Sequence, residues 1–259
     1  MQINGKEIFV SESGEGEPLI MIHGLGGNVS VWGSLMGVLS RLFRVVSIDL
    51  EGAGFSPNQS DRFTMDSCME DILAVMDSIN ADSAHLMGHS VGTVICQLVA
   101  EKNPKRVKSL VLLGSLHDIP EGARSALKDR AAKVRQEGMV EVANTVSQAS
   151  TSAETKALRP EIVAFTREML YRQDPEGYAR YCEAASEAPV PDLGKIKCPV
   201  LLITGNEDIV GPPLTSRRIK EKLVDARLLI VNGVGHQTSI EKPEPVASGI
   251  INFYVDKVL

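Results

Sequence analysis

The feature that most restricts this chain is a set of six short apolar runs, each continuous rather than alternating: "PLIMIHG" (18–24), "RVVSIDL" (44–50), "AHLMGHS" (84–90), "SLVLLGS" (109–115), "PVLLITG" (199–205) and "ARLLIVNG" (226–233). A run that is apolar at nearly every residue suits a strand covered on both faces, and such strands belong to parallel sheets. Helical periodicity fills most of the gaps. From Met65 the residues Met69, Ile72, Met76 and Ile79 recur at spacings of three and four, with Thr64 placed to cap the helix. Val91, Val94, Ile95, Leu98 and Val99 form one face of a second helix that Pro104 stops, and a last helix from about Pro243 presents Val246, Ile250, Phe253 and Tyr254 for burial. Strand and helix in alternation predict an α/β protein whose parallel sheet is wound by right-handed crossovers.

The alternation breaks between about His117 and Lys195. Only amphipathic helical stretches occur there, such as "RSALKDRAAKVRQEGMVEVANTV" and "PEIVAFTREMLYRQDPEGYARYCEAAS". The expected organisation is therefore a core of residues 1–116 and 196–259 carrying a helical cap, or lid, of residues 117–195 over the carboxyl ends of the strands, where ligands bind in open α/β sheets.

Composition excludes several classes. The formal net charge is −6, and lysine and arginine gather into no stripe that would bind nucleic acid. The N-terminal "MQINGKEIFVSESGEGE" has no apolar core of signal-peptide length, and no run approaches the roughly 20 apolar residues that span a bilayer. A cytoplasmic protein with no nucleic-acid or membrane partner, monomeric or homodimeric, is expected. Cys68, Cys96, Cys182 and Cys198 form no C-x-x-C pair and read as buried free thiols. No metal and no organic cofactor is expected, because the chain has no H-E-x-x-H, no Cys/His cluster and no dinucleotide fingerprint.

Chemistry enters with "GHSVG" (88–92), which sets Ser90 between glycines where a strand pattern gives way to a helix pattern. Such a motif can be a plain tight turn. It can also lift a serine out of the backbone at a helix N-terminus, with the Val91 amide aimed at a developing oxyanion. A serine hydroxyl needs a base, and the base needs an acid to orient it. Of the five histidines, His236 in "NGVGHQTSIEKPE" follows the last strand run and so lies on the same rim as Ser90. His23 is read as holding its own loop. Asp208 in "LLITGNEDIVGPP" is the acid candidate, with adjacent Glu207 facing elsewhere and Asp118 the fallback. In "MIHGLGGN" (21–28) the glycines free the backbone to expose amides, so Leu25 is the second oxyanion donor, with Gly24 and Gly26 as neighbours that could take that role or border the substrate. Trp32, and from the cap Met139, Met169, Tyr178 and Tyr181, are further pocket candidates. The cap arginines and lysines are read as solvated.

Taken together, "HGLGG", "DLEGAGFS", "GHSVG" and "GVGH" stand in the order and strand context of the α/β-hydrolase superfamily, and the chain resembles it over nearly its whole length. The resemblance implies an α/β-hydrolase fold, with a mostly parallel sheet of the eight-stranded type flanked by helices and a lid inserted after the sixth strand. It also implies a triad of Ser90, Asp208 and His236. "DPEGYARYCEA", "DLGKIKCPVLLITGNED" and "GHQTSIEKPEPVASGIINF" are similar to 3-oxoadipate enol-lactonases and related small ester and lactone hydrolases. Two departures stand out. Glu51 occupies a position where the family often has a basic residue, and "NTVSQASTSAETKALRP" lacks the tryptophan and phenylalanine frequent in that part of enol-lactonase lids. The expected activity is hydrolysis of a carboxylic ester or lactone through an acyl-enzyme, the substrate being a small molecule. The alternatives are carbon–carbon bond hydrolysis of a diketone-like substrate on the same triad, or a slow or non-catalytic ligand receptor on this scaffold.

Overall fold

The structure is a computed structural model that describes residues 1–257. Strands β1 (Gln2–Ile3) and β2 (Lys6–Glu7) form a small antiparallel hairpin of their own. The main sheet contains β3 (Val10–Ser13), β4 (Pro18–Ile22), β5 (Arg44–Ile48), β6 (Ala84–His89), β7 (Val107–Leu113), β8 (Val200–Gly205) and β9 (Ala226–Val231) in the spatial order β3-β5-β4-β6-β7-β8-β9. All neighbours pair in parallel except β3, which runs antiparallel to β5.

Two expectations need correction. The main sheet has seven strands, not eight, so the cap leaves it after its fifth strand rather than its sixth. The reason is local: Asn4 (φ 50°) and Gly5 (φ 77°) make a tight reversal that pairs Gln2–Ile3 with Lys6–Glu7, so this segment uses its ladder groups on itself. The run at 226–233 is also less enclosed than its unbroken apolar character implies. As β9 it is the edge strand, and five of its six residues are only half-buried.

Elsewhere the apolar runs behave as read. Alternate residues of one strand serve opposite faces: Ile20 and Ile22 of β4 join the core beneath helices α2 (Met65–Ser78) and α3 (Val91–Lys102), while Leu19 and Met21 join the core beneath α1 (Gly33–Leu39) and the C-terminal helix Pro243–Lys257. Thr64 caps α2 through a reciprocal pair with Ser67, as its position predicts. Cys68, Cys96 and Cys182 are buried free thiols, whereas Cys198 is half-buried.

Between β7 and β8 lie the cap helices α4 (Glu121–Glu137), α5 (Val140–Ala149), α6 (Ala153–Leu158), α7 (Pro160–Tyr171) and α8 (Pro175–Ser186). They enclose a small apolar centre of their own that includes Val134, Met139, Ala143, Leu170 and Tyr178. Among the described residues, no helix is long and apolar enough to cross a membrane.

The strand order fixes where a site can form. The chain goes from β4 outward to β5, then returns across the sheet to β6 on the other side of β4. The reversal opens a crevice at the carboxyl ends of β4 and β6, the place where doubly wound sheets bind ligands. Residues 23–28 leave one of these strands and Ser90 leaves the other.

Candidate active site

Ser90 ends β6 and begins α3 with φ 54° and ψ −122°, a left-handed conformation that a residue with a Cβ adopts only under constraint. Its N–H donates to the Leu113 carbonyl at 2.9 Å. Its own carbonyl accepts from Thr93 Oγ1 at 2.5 Å, and that hydroxyl accepts from the Leu116 N–H at 3.0 Å. The turn is thus tied on both sides to the end of β7. It also demands glycine nearby, since a Cβ on Gly92 would collide with the Ile22 carbonyl and one on Gly24 would sit 2.7 Å from the Ser90 Cβ. The 23–28 loop is therefore pressed directly against the serine. As the first residue of α3, Val91 has one of the N–H groups that no helix carbonyl can reach.

His236 and Asp208 meet on the same rim. His236 Nδ1 lies 2.8 Å from Asp208 Oδ2, with both side chains almost fully buried. The other carboxylate oxygen, Oδ1, accepts from the N–H groups of Val210 and Gly211, each at 2.8 Å. Burial works against the Asp208 charge, but the imidazole and these amides outweigh it and hold its pKa below the usual carboxylate value. An ionised Asp208 can only accept, so His236 Nδ1 carries the proton and Nε2 has the free lone pair. That Nε2 is buried and has no hydrogen-bond partner among the described residues. The Ser90 hydroxyl is not within bonding geometry of it here, and catalytic contacts of this kind often close only with substrate bound. The acid alternatives lie elsewhere: Asp118 is exposed, and Glu207 accepts from the Ala153 N–H of the cap at 2.8 Å.

Two other histidines hold the surroundings. The Leu50 N–H can only donate, so His23 accepts it on Nε2 at 2.9 Å and donates from Nδ1 to the Gly24 carbonyl at 2.8 Å. His23 is thus a clamp on the 23–28 loop, and burial keeps it neutral by lowering its pKa. His89 Nε2 donates to the His236 carbonyl at 2.9 Å, with the two rings 4.8 Å apart. Burial, then the neighbouring His236, push its pKa down to about 3.

Glu241 carries no catalytic signature in the sequence, yet it ties the His236 loop to the cap. It is 1 % exposed, and one carboxylate oxygen accepts from the N–H groups of Gly235 (3.0 Å) and Gln237 (3.2 Å). The other accepts from the Ser152 N–H (2.8 Å) and Thr155 Oγ1 (2.7 Å). The His236 N–H completes the junction by donating to the Ser150 carbonyl at 2.8 Å. On the opposite side Gln173 of the cap donates to the carbonyls of Gly26 and Gly27, both at 3.3 Å.

Under the cap is a cavity of only about 20 Å³, bordered by Gly24, Leu25 and Gly26 from the loop, Met169 and Leu170 from α7, and Gln237 beside His236. Gly27, Val31, Val146 and His89 complete its wall. Of the residues singled out in the sequence, Gly24, Gly26 and Met169 border this cavity. Tyr178 abuts it, its ring 2.9 Å from where a Cβ on Gly26 would stand. Three expected lining residues lie elsewhere. Trp32 is fully enclosed in the core beneath α1, Met139 packs inside the cap, and Tyr181 packs on Phe63 (4.8 Å between ring centres) and Cys68. Trp32 and Met139 are taken by their own layers, whereas Tyr181 reaches from α8 into the core cluster around Phe63 and Cys68, away from this cavity. Glu51 is accounted for too: it accepts from the Gln59 N–H and the Ser60 hydroxyl and pairs with Lys6, so the acid at this position closes a loop rather than facing the site.

Comparison with known proteins agrees with this fold. A family profile described as alpha/beta hydrolase fold matches residues 17–243. The 3-oxoadipate enol-lactonase 2 of Acinetobacter baylyi is 29 % identical over 227 residues, which cover 87 % of this chain and 84 % of that protein. The 2-hydroxymuconate semialdehyde hydrolase of a Pseudomonas species is 28 % identical, covering 97 % of this chain and 94 % of its own. Among solved structures, the enol-lactonase of Burkholderia xenovorans superposes with a TM-score of 0.93 at 26 % identity, covering 98 % of this chain and 99 % of that one.

Proposed function

The chain belongs to the α/β-hydrolase family, and from that membership we propose that it is a serine hydrolase cleaving a carboxylic ester or lactone through an acyl-enzyme. The observation that carries this reading is the buried Asp208–His236 pair at 2.8 Å, whose partnerless Nε2 lies on the rim where Ser90 is held in a strained turn. Ser90 Oγ attacks the carbonyl carbon as its proton passes to His236 Nε2. Asp208 keeps the proton on Nδ1 in the right place and stabilises the imidazolium that forms. The backbone N–H groups of Leu25 and Val91 hold the oxyanion, a contribution for which one donor typically accounts for about 10²–10³ in kcat. The imidazolium then gives its proton to the leaving alkoxide oxygen. Water, activated by the neutral imidazole, hydrolyses the acyl-enzyme and restores Ser90.

The cavity has room for about one water, so a substrate enters by displacing side chains of α7 and α8 from the 23–28 loop. Labelling with a fluorophosphonate tests the nucleophile: the adduct is expected on the peptide containing Ser90 and is expected to vanish in Ser90→Ala. An adduct elsewhere, or none, would overturn the assignment. The likeness to a semialdehyde hydrolase supports carbon–carbon bond cleavage of a diketone-like substrate as the second reading. Turnover of an ester or lactone panel against a vinylogous diketone separates the two.

A further inference from the structure

We infer that this site takes an uncharged, mainly apolar acyl group with one neutral polar substituent met by the Gln237 amide, and that it discriminates against substrates carrying a second carboxylate. The inference rests on the ester or lactone reading and narrows it.

The space beside the 23–28 loop is walled by Leu25 and Val31 from the core and by Val146, Met169 and Leu170 from the cap. Two polar side chains border it, His89 and Gln237, and neither is a cation. His89 already gives its Nε2 proton to the His236 carbonyl, so its ring serves as a wall. Among the described residues no arginine or lysine lines this space; Arg130 stands behind it at the Tyr178 side chain, and three other cap arginines are engaged away from it. Arg124 donates to the carbonyls of Ile119, Ser186 and Ala188, and Arg135 is shared between Glu176 and Glu183. Arg159 pairs with Glu161 and reaches the Glu241 carbonyl. A carboxylate entering between these layers would shed its hydration and meet no charge of opposite sign, the costliest form of polar burial. The whole-chain charge of −6 opposes an anion's approach as well.

Gln237 is the polar group left to read the substrate. It is buried, borders the cavity and follows His236 directly in the chain. Its Nε2 is 3.5 Å from Ser150 Oγ, at the outer limit of hydrogen bonding, so its amide is weakly committed and suited to a carbonyl or hydroxyl of the substrate.

The test compares kcat/KM for three acyl donors of matched length: p-nitrophenyl butyrate, the mono-p-nitrophenyl ester of succinate, and the same succinate ester methylated on its free acid. The free acid is expected to be poorer than butyrate by about 100-fold or more, and methylation is expected to restore most of the loss, which separates charge from size. Gln237→Arg is expected to raise turnover of the free acid at least about tenfold relative to butyrate, by supplying a cation at the wall. A free acid turned over within tenfold of butyrate, with no gain from methylation, would overturn the inference. If no ester of the three is cleaved, the hydrolase reading fails, and calorimetric titration with succinamic acid and its methyl ester still decides the pocket's preference: tighter binding of the neutral ester supports the inference and tighter binding of the anion overturns it.

Discussion

The rim of the sheet and the cap keep their polar groups in opposite ways. At the rim Asp208, His236, His23, His89 and Glu241 are all buried and held inside the protein: Asp208 by His236 and two amides of its own loop, His23 by the Leu50 amide, His89 by the His236 carbonyl, and Glu241 by amides of its loop and of the cap. In the cap, polar contacts are largely ion pairs in water, such as Arg135 with Glu176 and Glu183, Lys133 with Glu141, and Arg172 with Glu168, while an apolar centre holds the helices together. A buried donor or acceptor that loses its partner costs about 1–3 kcal/mol, whereas an exposed ion pair contributes about 0–1 kcal/mol. The contrast teaches that the rim is a layer intolerant of change and the cap a layer that yields. The two are joined at Glu241, which accepts from Ser152 and Thr155 of the cap, and at Gln173, which donates to the carbonyls of Gly26 and Gly27.

The sharpest way to break this contrast is at the rim. Asp208→Asn keeps the shape but replaces an acceptor-only carboxylate with an amide that can present N–H to the imidazole, favouring the wrong tautomer. A fall of about 10⁴ in kcat is expected with little change in KM, and steady-state kinetics on an activated ester checks it. A tenfold effect or less would mean that Asp208 does not orient the base.

Glu241→Gln is expected to cost about ten- to hundredfold in kcat, because one oxygen that accepts two N–H or O–H groups becomes an NH₂ that accepts none. Stability is expected to fall by about 1–3 kcal/mol in urea titration. Equal kcat with lowered stability would show that the junction holds the cap without aligning His236.

Acid probes the two layers together. His23, His85, His89 and His117 all have pKa values lowered chiefly by burial, while in the unfolded chain they titrate near 6.5. Below that value the unfolded state binds protons that the folded state refuses. Stability is therefore complete above about pH 6.5 and falls as pH drops, by up to about 1.4 kcal/mol per pH unit for each histidine. For His89 the loss continues to about pH 3. The depressed Asp208 adds to it once the pH passes below the ordinary carboxylate value. His23, His85 and His89 lie in the core and His117 lies at the entrance to the cap, its Nδ1 3.1 Å from Gln97 Oε1 of α3, so the loss belongs mainly to the core. Urea midpoints across pH 7.5 to 4.5 (about the range where these groups titrate) check it; a flat profile would show that the buried imidazoles do not control acid stability.

The smallest effect is expected in the cap. Arg135→Ala removes two exposed pairs and is expected to shift stability by less than about 1 kcal/mol and leave kcat/KM within about twofold. A larger rate effect would mean that the cap's outer surface takes part in positioning substrate.

Much of the rim is legible because its residues follow strands. Ser90, Asp208 and His236 each come just after an apolar run, and parallel strands bring all such loops to one edge, so linear position alone collects them there. Gly24 and Gly26 are readable for the same reason, as is Thr64 by its offset from a helix. The hairpin at Asn4–Gly5 and the half-exposed edge strand β9 escape this reading, because an apolar run records how much a strand can bury, not how many neighbours it has.

What the sequence by itself determined, then, is the alternation that builds the sheet and the chemistry set along its rim, both written in local period and order. Only the tertiary structure decided that Glu241 joins His236 to the cap, that His89 braces the neighbouring loop, that Trp32 and Met139 pack within their own layers while Tyr181 packs on Phe63 and Cys68, and that Val146, Leu170 and Gln237 border the cavity under the cap. Those decisions depend on directional hydrogen bonds and close packing between segments as many as 147 residues apart, as for His89 and His236. Periodicity describes a segment's own face; it carries no information about which distant face will meet it.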